Sequence, residues 1–127
     1  MSHKKTIVII DDEIDFTKMA SMMLEQKGGF KVGICNQGTR AVETIREWQP
    51  DLILLDIMMP DKDGSDIAAE LRKDPELCII PIIFFTSLMT PSEAAGHPVF
   101  SNYGFIPKPI ETEDLLRRVQ EFFKLEG

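Results

Sequence analysis

Polar side chains that could take part in chemistry stand at the ends of four apolar runs of this 127-residue chain. Each run is short and continuous, as in a parallel strand that is buried on both faces. Open α/β sheets bind ligands at the carboxyl ends of their strands, so we expect these side chains to converge on one pocket. In chain order the residues are Asp11 with Asp12, then Asp56, Thr86 and Lys108.

Three carboxylates in one pocket would repel one another unless they are protonated or bind a cation. Oxygen-only ligands suit a hard cation, most simply Mg²⁺. The ammonium of Lys108 and the hydroxyl of Thr86 would add partners for an anion, and a phosphoryl group fits this combination best. One carboxylate could then act as nucleophile and form an acyl phosphate. Asp56 follows the middle strand and is the best candidate for that nucleophile.

Strand-like and helix-like patterns alternate along the chain. This alternation predicts βαβ units and a parallel sheet with helices on both faces. Pro107 has no N–H to donate to a neighbouring strand, so the fifth strand is expected at an edge of the sheet. The predicted strands are residues 7–10, 30–35, 52–55, 82–85 and 105–106.

Apolar residues at helical spacing mark the helices, and we interpret these stripes as core packing. The first stripe contains Phe16, Met19, Ala20, Met23 and Leu24. The later stripes are Ala41, Val42, Ile45 and Trp48, then Ile67, Ala68 and Leu71, and finally Leu115, Leu116, Val119, Phe122 and Phe123.

One segment departs from this alternation, between the fourth and fifth strands. A helix is due there, and Thr90-Pro91-Ser92-Glu93 is typical of a helix start with Pro at the first helical position. Gly96 and Pro98 would end it after about one turn. The sequence therefore predicts a shortened fourth helix.

Length and composition restrict the classes of protein. A chain of 127 residues with 43% apolar residues can build one core, and we expect residues 1–127 to form a single domain. The net charge of −7 disfavours direct binding of nucleic acid, which requires clustered Lys and Arg. Cys35 and Cys78 form no CxxC pair and suit a reducing compartment. No apolar run approaches the ~18 residues of a transmembrane helix, so we expect a cytoplasmic domain without membrane partners.

The loop after Asp56 carries a family signature. It reads Ile-Met-Met-Pro-Asp-Lys-Asp-Gly and ends at Gly64, and its Pro and Asp-Gly shape a tight turn. Together with the acid pair and with Lys108-Pro109, this loop resembles the receiver domain of two-component response regulators, from residue 5 to about residue 124. The layout is most similar to stand-alone chemotaxis regulators. The resemblance implies a flavodoxin-like, doubly wound α/β fold with strand order 2-1-3-4-5.

The resemblance also implies a metal site and a phosphoryl acceptor. Asp11 and Asp12 would hold Mg²⁺ together with Asp56 and the backbone carbonyl of Met58. Asp56 would also accept the phosphoryl group, so this one residue would have two roles.

Further roles are implied at the last two strands. Thr86 would hydrogen-bond a phosphoryl oxygen, and Lys108 would pair with it. Phe105 stands three residues before Lys108, where the family has an aromatic that changes rotamer when the hydroxyl residue moves. The peptide bond between Lys108 and Pro109 would be cis.

The implied function is that of a signalling module, with no enzymatic activity beyond weak self-catalysed phosphoryl transfer and dephosphorylation. A histidine kinase or a histidine phosphotransfer protein would donate the phosphoryl group in a Mg²⁺-dependent reaction. The chain would then change conformation and signal to a downstream protein target or an output domain. A phosphorylation-dependent homodimer is a further form of output that the resemblance allows.

Three residues beside the predicted site carry separate expectations. Met58 and Leu88 are apolar and cannot position the water that hydrolyses an acyl phosphate, so we predict slow self-dephosphorylation. Glu13 continues the acidic cluster, but we expect it to stay near the start of the first helix, where a negative charge is favourable.

Two other functions share parts of this pattern. A Mg²⁺-dependent aspartyl phosphatase or hydrolase would use the same nucleophile, but such enzymes usually carry a second acid at the position of Met58. A flavin-binding domain of similar topology needs a phosphate loop rich in Ser, Thr and Gly after the first strand. This chain has an acidic cluster at that position, which would repel the cofactor's phosphate.

Overall fold

Five parallel strands form one sheet at the centre of the fold. The structure, a computed structural model, describes residues 4–86 and 104–126. The strand order β2-β1-β3-β4-β5 confirms the predicted fold and the edge position of the strand that contains Pro107. The strands are β1 (Thr6–Ile10), β2 (Lys31–Cys35), β3 (Leu52–Asp56), β4 (Ile82–Thr86) and β5 (Gly104–Pro107).

Four α-helices lie within the described residues. The predicted short helix between the fourth and fifth strands falls in residues 87–103 and lies outside the described part of the chain. Within residues 4–86 and 104–126, no helix has the length and apolarity that crossing a membrane requires. The helices are α1 (Ile14–Gln26), α2 (Ala41–Trp48), α3 (Gly64–Lys73) and α4 (Thr112–Glu126).

The core has two layers, one on each face of the sheet. Successive side chains of a strand point to opposite faces, so each buried strand contributes to both layers. Ile53 and Leu55 of β3 lie in the layer that α2 and α3 cover. Leu52 and Leu54 lie in the layer that α1 and α4 cover. The apolar runs are continuous because both faces of the sheet are buried.

The buried face of α1 differs from the predicted stripe. Met19 is 61% exposed, so its assignment to the core was wrong. Two hydroxyl residues are buried in its place, because each hydroxyl donates a hydrogen bond to a carbonyl three residues earlier in the helix. The buried residues of α1 are Thr17, Ala20, Ser21 and Leu24.

The register of the sheet brings the carboxyl ends of its strands together. Ile10 pairs with Leu55, so Asp11 and Asp56 extend from neighbouring positions. Thr86 pairs with Pro107, and Lys108 therefore follows at the same edge. Residues nearly a hundred positions apart in sequence thus meet at one end of the sheet.

Candidate functional site

Three aspartates form an acidic cluster at this edge of the sheet. One carboxylate oxygen from each of Asp11, Asp12 and Asp56 lies within 4.8 Å of the others. The Asp11 and Asp56 residues are 0% and 4% exposed, so two of the three carboxylates lie out of contact with bulk water. A compact set of oxygen ligands of this kind is able to hold a hard divalent cation.

The ammonium group of Lys108 is the cationic partner of this cluster. Its Nζ donates hydrogen bonds to Oδ2 of Asp11 at 2.7 Å and to Oε1 of Glu13 at 2.9 Å. Oδ2 of Asp56 is farther away, at 3.8 Å. The side chain of Lys108 is only 8% exposed. The ammonium therefore already has two carboxylate partners and leaves Asp56 without a direct hydrogen bond to it.

Two aromatic rings lie beside this ammonium. The ring centroids of Phe16 and Phe85 are 5.3 Å apart, and the rings are nearly perpendicular. The Nζ of Lys108 lies 4.9 Å from the Phe16 centroid and 5.7 Å from the Phe85 centroid. Both distances fall within the range of cation–π attraction. The rings also cover the ammonium of Lys108, and its ion pair with the buried Asp11 is stronger out of water.

Burial has opposite consequences for the charged groups of the site. Burial, helped by the negative charge of Asp11, raises the pKa of Asp56 to about 7, although the charge of Lys108 opposes this. Burial also raises the pKa of Asp11 despite its hydrogen bond from Lys108. Burial alone would lower the pKa of Lys108, but hydrogen bonds to Asp11 and Glu13 raise it overall. Without a cation, the carboxyl group of Asp56 is therefore partly protonated near neutral pH.

The loop after β3 contacts Asp56 through its backbone. The backbone N–H of Met58 donates to Oδ1 of Asp56 at 3.3 Å, while the Met58 residue is 50% exposed. The N–H of Gly64 donates to the carbonyl of Ile57 at 2.8 Å. A Cβ atom at Gly64 would lie 2.4 Å from the carbonyl oxygen of Asp56. Only glycine lets α3 begin this close to the strand that carries the acid.

Two predicted site residues lie at the ends of β4 and β5. Thr86 ends β4 and pairs in register with Pro107, so its backbone reaches the same edge as Lys108. The Lys108–Pro109 peptide bond is cis. The structure thus brings the backbone of Thr86 to the edge where the acidic cluster lies, and the role of its hydroxyl remains a prediction.

Phe105 lies inside the sheet's core. It is 9% exposed and stacks on Phe84 with a centroid distance of 5.9 Å. The two residues are register partners on β4 and β5. The carbonyl of Phe105 accepts a hydrogen bond from Arg118 of α4 at 2.9 Å. Through its ring, Phe105 of β5 therefore contacts β4, the strand that ends at Thr86.

Sequence reasoning missed the contacts of two polar residues at the site, Asn36 with Asp11 and Glu13 with Lys108. Nδ2 of Asn36 donates to the carbonyl of Asp11 at 2.7 Å and to Oγ1 of Thr17 at 3.0 Å. Asn36 follows β2, so the rule applied to the other strand ends would have found it. Glu13 does precede α1 as expected, but its side chain also binds Lys108. No local pattern indicates a contact across 95 residues.

Comparisons with known proteins agree with this architecture. DNA-binding response regulator MtrA of Mycobacterium tuberculosis is 29% identical over 117 residues, which make up 92% of this chain and 50% of that protein. The chain spans about half the length of the curated relatives it matches. A response regulator from Desulfuromonas acetoxidans has a TM-score of 0.82 at 27% identity, with 95% of this chain and 98% of that chain covered.

A chemotaxis protein supports the fold. CheY4 of Vibrio cholerae has a TM-score of 0.82 at 24% identity, with 94% of this chain and 98% of that chain covered. The profile described as the response regulator receiver domain matches residues 7–120, nearly the whole chain. The chain therefore belongs to the response regulator receiver domain family, the signalling modules of two-component systems.

Proposed function

We propose that residues 1–127 form a single receiver domain in which Asp56 accepts a phosphoryl group. The observation that carries this proposal is the position of Asp56, which lies within one cluster with Asp11 and Asp12 and 3.8 Å from a buried ammonium. A nucleophilic carboxylate between a cation-binding cluster and a fixed positive charge suits an anionic electrophile.

The donor in this proposal is a phosphohistidine of a histidine kinase or a histidine phosphotransfer protein. A carboxylate oxygen of Asp56 attacks phosphorus, a P–O bond forms and the P–N bond breaks. The electron pair of the broken bond stays on the imidazole nitrogen, which then takes up a proton. The reaction needs the ionised form of Asp56, so a cation in the acidic cluster would favour it.

The residues of the cluster fit Mg²⁺. Asp11, Asp12 and Asp56 offer only oxygen ligands, and we propose that the backbone carbonyl of Met58 completes the protein's share. Bound Mg²⁺ supplies positive charge that offsets the carboxylates and the phosphoryl oxygens. The protein's own contribution is to hold the acids at fixed positions on β1 and β3.

The signal would arise from residues around the new phosphoryl group. Lys108 would pair with one phosphoryl oxygen and Thr86 would hydrogen-bond another. Phe105 would change rotamer as Thr86 moves, an idea supported by the stacking of Phe105 on Phe84, two residues before Thr86. Phosphorylation would thereby shift the chain between two conformational populations.

The proposed partners are proteins. A histidine kinase or phosphotransfer protein provides the phosphoryl group, and a downstream target or an output domain reads the result, with a phosphorylation-dependent homodimer as another form of output. We propose a cytoplasmic location. We also propose that the chain does not bind nucleic acid directly, because acidic residues outnumber basic ones by 21 to 14. Self-catalysed transfer and dephosphorylation would be weak.

Acetyl phosphate with Mg²⁺ provides the test. The wild-type chain is expected to gain the mass of one phosphoryl group in an alkali-labile, hydroxylamine-sensitive linkage, and Asp56→Asn is expected to lose this label. Asp66→Asn, a change at an exposed aspartate of α3, serves as the matched control and should label like wild type. Equal labelling of Asp56→Asn would refute the assignment. Multiple turnover of a phosphate ester would favour the phosphatase alternative.

A further inference from the structure

We propose that Glu13 is a positioning residue that restrains Lys108 in the unphosphorylated state and thereby weakens the binding of a phosphoryl group at Asp56. This inference rests on the proposed function of Asp56 and concerns the regulation of the same site. Glu13 would act through Lys108 and would not contact the reacting atoms.

Lys108 makes two hydrogen bonds to carboxylates at the site. An ammonium has three donors. Two of them are directed at Asp11 and Glu13, at 2.7 and 2.9 Å. The distance of 3.8 Å to Asp56 shows that Lys108 leans away from the proposed acceptor. The third donor can turn toward Asp56, but pairing with a phosphoryl group there would draw the ammonium away from Asp11 and Glu13 and so lengthen these two bonds.

The two carboxylates that bind Lys108 differ in their relation to the acidic cluster. Asp11 belongs to the cluster of three aspartates, so a cation there would compete with Lys108 for its oxygens. Glu13 is outside that cluster and its side chain is 62% exposed. Glu13 thus remains available to Lys108 after a cation binds, and it is the partner that would still hold the ammonium away from Asp56.

The side chain of Glu13 has open space beside it. Its side chain lines an open groove of about 270 Å³ together with Phe16, Lys108 and Pro109. The carboxylate can leave Lys108 without disturbing the core. An ion pair with one exposed partner contributes little, so we expect its loss to change binding about two- to fivefold.

The test compares Glu13→Gln with wild type in two measurements. Glu13→Gln keeps the shape of the side chain and removes its charge. Beryllofluoride, a mimic of the phosphoryl group, is titrated in the presence of Mg²⁺, and Glu13→Gln is expected to bind it about two- to fivefold more tightly. The Nζ signal of Lys108 in ¹⁵N NMR is expected to exchange faster with water in Glu13→Gln than in wild type. Its loss in Lys108→Arg identifies that signal.

Asp15→Asn is the matched control because Asp15 is an exposed acid in the first turn of the same helix. Removal of its charge should leave the Lys108 signal unchanged and the beryllofluoride affinity close to that of wild type. Equal effects of both variants on affinity would show a general charge effect and overturn the restraint, as would an unchanged Lys108 signal in Glu13→Gln. If wild type binds no beryllofluoride, the proposed function is wrong, and the Lys108 signal alone then decides whether Glu13 restrains the ammonium.

Discussion

The Nζ atom of Lys108 lies 3.8 Å from Oδ2 of Asp56, so the two groups attract each other without a hydrogen bond between them. This attraction is too weak to offset the burial of Asp56, whose pKa is raised to about 7. The buried acid is thus close to half protonated at neutral pH. The stability and the chemistry of the fold are coupled through this one carboxyl group.

Asp56→Asn should stabilise the metal-free protein at high pH and not at low pH. The pKa of Asp56 is higher in the folded chain than the ordinary 3.8, so the folded state favours the protonated acid. Its contribution to stability is complete below about pH 4 and is lost as pH rises through about 7. The gain from Asp56→Asn should be larger at pH 8 than at pH 5 by on the order of 1–3 kcal/mol. Urea unfolding in EDTA at both pH values measures it, and a gain that does not depend on pH would contradict the prediction.

Lys108→Ala should destabilise the chain strongly at pH 8. Asp11 is 0% exposed and would lose the ammonium that lies 2.7 Å from its carboxylate. Leaving a buried charge without its partner costs on the order of 2–4 kcal/mol in the free energy of unfolding. Lys62→Ala is the control, because its ion pair with Glu70 is far more exposed and should be worth about 1 kcal/mol or less. Similar losses in the two variants, measured by urea unfolding, would disprove this reading of Lys108.

Gly64→Ala should destabilise the fold although alanine is the better helix former. The added Cβ would come within 2.4 Å of the Asp56 carbonyl oxygen, a contact with backbone that cannot move aside easily. We expect a loss of about 1–3 kcal/mol and slower labelling by acetyl phosphate, because the loop that holds Asp56 must shift. Gly104→Ala is the control, since the nearest atoms that its Cβ would meet among the described residues belong to the Ile83 side chain, the closest at 3.3 Å. A stability equal to wild type for Gly64→Ala would show that the close approach can be relieved.

Met58→Asn should shorten the lifetime of the acyl phosphate. Met58 is half-exposed and its backbone N–H contacts Asp56, but its thioether side chain cannot orient a water molecule for attack. An amide at this position should speed the loss of label on the order of tenfold, and the wild-type label should decay slowly. Radioactive phosphate released from the labelled protein over time provides the measurement. Met19→Asn, an exposed methionine on α1, is the control, and rapid decay of the wild-type label would contradict the prediction.

The strands β1, β3 and β4 were predictable because each one is buried on both faces. Runs such as residues 52–55 contain only large apolar residues, and no other element of a small α/β domain imposes that pattern. The buried face of α1 was less predictable. Two faces of this helix satisfy the same spacing, and hydrophobicity favoured the one that contains Met19. The packed face contains Thr17 and Ser21, whose hydroxyls bond within their own helix, and their burial depends on tertiary packing.

The acidic cluster and Lys108 were predictable from the ends of the strands, whereas the contacts of Glu13 and Asn36 were not. Asp11 and Asp56 follow apolar runs, and the sheet topology then places them side by side. Glu13 contacts Lys108 across 95 positions of the chain, and the residues next to Glu13 do not encode this contact. Asn36 follows β2, whose sequence Lys-Val-Gly-Ile-Cys lacks a continuous run of large apolar residues, so its contact with Asp11 was not anticipated.

Lys108 and Asp56 differ in how firmly the sheet braces them. Asp56 ends β3, which has a hydrogen-bonded strand on each side, whereas Lys108 follows β5, which has a single neighbour at the edge. In mechanical terms, a displacement of the acid distorts two strand pairs and a displacement of the cation distorts one. The anionic half of the site is therefore the stiffer half. When the charge in the site changes, adjustment is concentrated at the edge strand, and the central strands keep their geometry.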